Sequence, residues 1–143
     1  QLFAHYRIHN KLWNKRWTQL NMHDLSLSDY VILNTLLTGG SRSPSALANA
    51  LHLTTGGLTV ISKKLIERGL IRRTTLATDK RAALLDLTDE GRILAEEAKA
   101  VYNRMIGEFF GVLSDIELSA LSAIYEKLVL HARSFVEMNA TSS

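Results

Sequence analysis

Between Ser43 and Gly91 the chain sets two short helical segments, joined by only three residues, ahead of a stretch patterned as sheet, and few folds accommodate that order. Ser43-Pro44 reads as a cap followed by proline at the first helical position, where its missing N–H costs nothing, and it opens a helix through Leu51. After His52-Leu53-Thr54, Thr54 caps a further helix expected to end at Arg68, because Gly69 suits the left-handed position and Leu70 the apolar closing contact of a C-cap. The buried edge of that helix should be Leu58, Ile61 or Ser62, and Leu65. Leu70 to Thr75 and Ala83 to Leu87 carry branched or apolar residues around the polar Thr78-Asp79-Lys80-Arg81, the pattern of a β-hairpin with a longer tip. Two helices with so short a link form a helix-turn-helix, and the hairpin behind them is a wing.

The flanks are helical. Leu2, Tyr6, His9, Trp13, Trp17 and Leu20 recur every three or four positions. Ser26 followed by Asp29 offers an N-cap with a carboxylate three residues on, and Val31, Leu33, Leu36 and Leu37 follow before Gly39-Gly40 stops the run. Thr88 caps a long helix to about Leu113. Ser114 with Glu117 opens a last one whose Leu118, Leu121, Ile124, Leu128 and Phe135 keep helical spacing. The fold class is mainly α with a small β-hairpin wing: a winged helix-turn-helix lobe over 26–91, helical segments over 1–25 and 92–138, and a frayed tail over 139–143.

Composition narrows the chemistry. Without cysteine there is no disulfide, thiolate metal site, catalytic thiol or thiol redox sensor. No run approaches the 18 or so apolar residues of a membrane span, and no basic start leads into an apolar export signal, so a cytoplasmic protein is expected. The net charge of +3 hides an uneven distribution. Over 63–81 stand Lys63, Lys64, Arg68, Arg72, Arg73, Lys80 and Arg81 against Glu67 and Asp79, a local +5 that leaves −2 for the rest. A charge run is usually a solvated face. Here it coincides with the helix-turn-helix and its wing, as neutralisation of nucleic-acid phosphates requires.

Leu47-Ala48-Asn49-Ala50-Leu51, Thr59, Leu65-Ile66-Glu67-Arg68-Gly69-Leu70-Ile71-x-Arg73 and Asp79-x-Arg81-x-x-x-Leu85-x-Leu87-Thr88-x-x-Gly91 together resemble the MarR family of bacterial winged-helix regulators. The resemblance covers essentially the whole chain and implies a bacterial, cytoplasmic homodimer on a pseudo-palindromic double-stranded DNA operator. The terminal helices would form the dimerisation region, the fourth helix would enter the major groove, and Arg81 of the wing would reach the minor groove. The residues expected at DNA are Thr55, Gly56, Thr59, Val60, Lys63, Lys64, Arg73, Lys80 and Arg81, with Asp79 shaping the wing. Many relatives carry Arg, Lys or Asn just after the threonine of the recognition helix, whereas this chain has Val60 and Ile61. Valine can touch a thymine methyl but gives no bidentate bond to a purine, so base reading rests on Thr55, Thr59 and Lys63, with DNA shape filling in.

Trp13 and Trp17, a turn apart beside His9 and Arg16, read first as core or dimer interface. The family resemblance gives a second reading, in which His9, Trp13, Arg16 and Trp17 receive a small aromatic carboxylate and release the DNA. His5 and His9 have the i, i+4 spacing of two metal ligands, yet no carboxylate or thiolate accompanies them in sequence, so a surface or interface pair is expected and neither metal nor cofactor is invoked. No nucleophile elbow, P-loop, dinucleotide fingerprint or zinc-protease motif occurs, so no enzyme is expected. The alternative to a regulator is a winged-helix interaction or architectural subunit without a specific operator.

Overall fold

The computed structural model describes residues 1–20, 23–76 and 79–141, and the side chains of these except 76–82 and 138–141. In chain order come α1 (Leu2–Leu20), α2 (Leu27–Gly39), α3 (Pro44–Leu51), α4 (Thr55–Glu67), β1 (Ile71–Leu76), β2 (Asp79–Leu87), α5 (Asp89–Phe110) and α6 (Asp115–Thr141). They divide into two compact units, Gln1–Met105 and Ile106–Ser143.

Each helix of the first lobe starts where a side chain can satisfy its orphan amides. Ser26 Oγ accepts from Asp29 N at 3.0 Å while Asp29 Oδ2 accepts from Ser26 N at 2.9 Å, closing a reciprocal capping box. Ser43 Oγ accepts from Ala46 N ahead of Pro44, and Thr54 Oγ1 accepts from Gly57 N at 3.0 Å. Such caps contribute about 1 kcal/mol each. The α3–α4 link turns on His52, which adopts a left-handed φ of 53° while Leu53 N returns to Ala48 O.

The core of this lobe draws Ile32, Leu33 and Leu36 from α2, Leu47 from α3, Leu58 and Leu65 from α4, Ile71 from β1, and Leu85 and Leu87 from β2. Ile61 and Ser62 are half-buried beside them. Ala95, Ala98 and Met105 extend the core along α5, and Trp17 plugs it from α1.

β1 and β2 pair antiparallel from Ile71 opposite Leu87 to Thr75 opposite Ala83, then slip so that Leu76 faces Asp79. One step on β1 is there matched by four on β2. The polar 78–81 stretch is thus not all connection: Asp79, Lys80 and Arg81 belong to strand β2, and the connection itself, 77–78, lies outside the described residues. Opposite its paired edge, β2 also bonds Arg42, with Leu85 N donating to Arg42 O at 2.8 Å and Arg42 N to Leu85 O at 3.1 Å.

The wing closes onto α5 at one crowded point. Thr88 Oγ1 donates to Gly69 O at 2.6 Å and accepts from Gly91 N at 3.0 Å, and Thr88 N donates to Leu70 O. Gly69 has the left-handed φ, 73°, expected of it. A side chain at Gly91 would put its Cβ 1.8 Å from Leu70 O.

In the second unit α5 ends at Phe110, three residues short of the expected Leu113. Gly111 N still reaches Gly107 O, then Leu113 N turns back to Phe110 O, so Ser114 can leave the helix and cap α6. Ser114 Oγ accepts from Glu117 N, and Glu117 Oε1 from Ser114 N, the expected box; these bonds hold the Glu117 carboxyl below its usual range. α6 continues to Thr141, into the 139–143 tail expected to fray, and 142–143 lie outside the described residues. Ile116, Leu118, Ile124, Leu128, Leu130 and Phe135 of α6 are exposed in the single chain.

Candidate nucleic-acid interface

α4 turns 100° per residue, so Leu58 and Leu65 bury one side and the opposite side projects Gly56, Val60 and Lys63, flanked by Thr55 and Thr59. All five are exposed, Val60 at 71%. Thr59 Oγ1 donates to Thr55 O at 2.8 Å, which fixes its rotamer and leaves its lone pairs and methyl outward. At Gly56 an added Cβ would meet nothing within 4 Å, so that turn of backbone is open. Arg73 is exposed on β1, while Asp79, Lys80 and Arg81 lie in β2 with side chains outside those described.

Three cations of the 63–81 cluster, though exposed, have partners within the chain. Lys64 Nζ pairs with Asp29 Oδ2 at 3.0 Å. Arg68 donates to the His23 and Asp24 carbonyls at 2.7 and 3.0 Å, and Arg72 lies 4.0 Å from Asp86 across the hairpin. Asp29 is legible in the sequence as a cap but not as the partner of an α4 lysine.

The aromatic residues of α1 have split environments. Trp17 is 2% exposed and donates its indole N–H to Leu25 O at 2.7 Å. Trp13 is half-buried, edge-on to Tyr102, which stacks on Tyr30 at a centroid distance of 4.9 Å. Burial, and then the neighbouring Tyr102, raise the Tyr30 phenol to about 12. Arg16 is half-buried and bonds Gln19, whereas His9 is exposed, as is His5. Tyr30 and Tyr102, absent from the expected site, complete the cluster that Trp13 and Trp17 begin. A cavity of about 350 Å³ beside it is lined by Asn14, Trp17, Thr18, Leu25, Leu27 and Lys64, among others; of the four expected ligand residues only Trp17 borders it.

Comparison with known proteins agrees with this architecture. The MarR family matches residues 25–83, the helix-turn-helix and most of the hairpin. The transcriptional regulator PrsX of Escherichia coli is 30% identical over 114 residues, covering 78% of this chain and 69% of PrsX. Among solved structures, a mutant MarR from E. coli complexed with operator DNA superposes with a TM-score of 0.80 at 21% identity, covering 89% of this chain and 92% of that one. Bordetella bronchiseptica BpsR, described for regulation of its DNA binding by 6-hydroxynicotinic acid, gives 0.81 at 22% identity over 90% of this chain and 93% of BpsR. With the winged helix-turn-helix architecture in place, the family match and the 30% identity to PrsX lead to one assignment: the chain belongs to the MarR family of winged-helix transcriptional regulators.

Proposed function

We propose that the protein is a homodimeric, sequence-specific DNA-binding repressor that a small aromatic acid releases from its operator. The observation that carries this reading is the outward face of α4, where Thr55, Gly56, Thr59, Val60 and Lys63 stand exposed together next to a basic hairpin. That face has the dimensions of a recognition helix in a major groove, about 12 Å wide. Lys63 and Arg73 neutralise phosphates, Thr55 accepts or donates and Thr59 accepts at base edges, and Val60 packs on a thymine methyl. Lys80 and Arg81, with Asp79 shaping the strand, extend the contact toward the minor groove.

Two lobes are needed because one α4 reads only a half-site. The exposed apolar residues of α6 and, separately, those at the start of α1, Leu2, Phe3, Tyr6 and Ile8, each give a second copy apolar surface to pack against. Half-sites one helical turn apart, about 34 Å, fix how far apart the two copies of α4 must be held.

For the ligand, the control of BpsR by an aromatic acid supports the class of compound. The residues we assign are His9, Trp13 and Arg16 along α1, with Trp17 behind them. A ligand shifts the protein off DNA only if it binds the DNA-incompetent arrangement more tightly. With no cysteine, thiol oxidation is not available as the trigger. Among the described residues no helix is long and apolar enough to cross a membrane.

The test is selection of duplexes from a random pool, followed by gel shifts against competitor DNA and a panel of benzoate-like and cinnamate-like acids. The reading expects an enriched pseudo-palindrome, and acids that quench tryptophan fluorescence and dissociate the complex over the same concentrations. An empty selection refutes DNA recognition; a panel that changes neither signal refutes the ligand.

A further inference from the structure

Lys64 of α4 and Arg68, the C-cap of α4 one turn on, both have partners within the chain. Lys64 Nζ lies 3.0 Å from Asp29 Oδ2, the same oxygen that accepts from Ser26 N at the start of α2. Asp29 is 1% exposed, whereas the Lys64 side chain is 52% exposed. That asymmetry gives the pair its direction: a solvated ammonium can pair anywhere, but a carboxylate so deeply buried must keep a partner. Arg68, on the next turn, grips two successive carbonyls, Asp24 O through Nη1 and His23 O through Nη2. The connection it grips is itself anchored, because Leu25 O takes the Trp17 indole N–H. Asp24 holds a left-handed φ of 52° in this turn.

At 100° per residue, Lys64 and Arg68 sit about 100° and 140° around α4 from Lys63. They therefore lie to one side of the face that would meet DNA and tie that side to α2 and to the α1–α2 connection. We propose that Lys64 is a positioning residue for DNA recognition and touches no phosphate: paired with Asp29, and assisted by Arg68, it sets the roll of α4 about its own axis. With side chains α4 has a radius of about 5–6 Å, so a roll of about 20° moves the tips of Thr55, Thr59 and Lys63 by about 2 Å, enough to break a hydrogen bond to a base edge. Sequence reading assigns Lys64 and Lys63 the same role; the structure separates them.

This inference rests on the DNA-binding reading, and the experiment keeps the two apart. The duplex enriched by wild-type protein is titrated with wild type, Lys64→Met, Lys64→Arg, Asp29→Asn, Lys64→Met/Asp29→Asn and Lys63→Met at several salt concentrations, with a scrambled duplex alongside. Active protein is counted by stoichiometric titration, so that partly unfolded variants do not mimic weak binders. A positioning role predicts that Lys64→Met weakens the specific complex about tenfold or more, as one mismatched base pair does, and leaves scrambled-duplex affinity and the salt slope unchanged. Asp29→Asn should match it, the double variant should be no worse than either, and Lys64→Arg should restore binding. Lys63→Met, by contrast, should flatten the salt slope by about 0.9. The proposal is overturned if Lys64→Met flattens the slope as Lys63→Met does, or if Asp29→Asn leaves binding unchanged or tightens it by freeing the lysine. Should Asp29→Asn not fold, the Lys64→Met and Lys64→Arg slopes decide alone. A wild type that enriches no duplex overturns the DNA-binding reading itself.

Discussion

Replacing Gly91 with alanine puts a methyl carbon 1.8 Å from the Leu70 carbonyl oxygen and 2.7 Å from its carbon. Ordinary contact with that oxygen begins at 3.4 Å, so the start of α5 and the end of the 69–70 turn must part by more than 1 Å. Neither side yields easily. Leu70 and Ile71 are core residues, and Thr88 ties Gly69 O, Leu70 O and Gly91 N together. Overpacking of this kind costs about 1–3 kcal/mol, and loss of the Thr88 cap adds about 1 kcal/mol. Alanine returns up to about 1 kcal/mol of helix propensity. The net expectation is a destabilisation of about 1–3 kcal/mol, or on the order of 3–10 °C in Tm for a chain of this size. Gly56→Ala is the internal control: nothing lies within 4 Å of its Cβ, so only the propensity gain remains and stability should hold or rise. Urea unfolding of the three proteins at one protein concentration, followed by circular dichroism, measures both. A Gly91→Ala midpoint equal to wild type would show that the joint has slack and would refute the reasoning.

Trp17→Phe keeps most of the buried ring but loses the bond to Leu25 O, and should cost about 1–2 kcal/mol in the same unfolding assay. Arg73→Ala and Lys63→Ala should each flatten the salt dependence of operator binding by about 0.9 while barely moving the thermal midpoint; an unchanged slope removes that residue from the phosphate contacts. Tyr30 binds its proton more tightly folded than unfolded, so its contribution to stability is whole below about pH 10 and is lost as pH rises toward about 12. Absorbance titration should show a late-ionising component that disappears in Tyr30→Phe; its persistence in that variant contradicts the reading.

The features legible in sequence were those whose partners lie within a turn. Ser26 with Asp29, Ser43 with Pro44, Thr54, and Ser114 with Glu117 each declare a helix start, because a cap reaches only three residues ahead. The exposed face of α4 followed from helical period and the buried Leu58 and Leu65. What escaped depends on distant elements. Arg68 reaches carbonyls 44 and 45 residues back, and no local pattern distinguishes it from Lys63. His52 takes a left-handed conformation without the glycine that usually announces one. Asp79, Lys80 and Arg81 read as a loop by polarity, yet they join β2, where strand pairing is set by β1 and not by composition. Trp13 and Trp17 share a stripe, but only Trp17 is fully buried, because Tyr30 and Tyr102 come from α2 and α5.

The hairpin edges bear on how the chain behaves when crowded or newly made. A strand edge is a template for another strand, and the motif Ile71-Arg72-Arg73-Thr74-Thr75-Leu76 would be a favourable one without its charges. Near Leu85 the outer edge of β2 is occupied by Arg42. The outer edge of β1 has no such cover among the described residues, and Arg72 and Arg73 are the gatekeepers there. Arg72 and Arg73 therefore keep one hairpin from extending another into an aggregate. A variant with both arginines replaced by valine should lose solubility, while glutamate at the same positions should keep it.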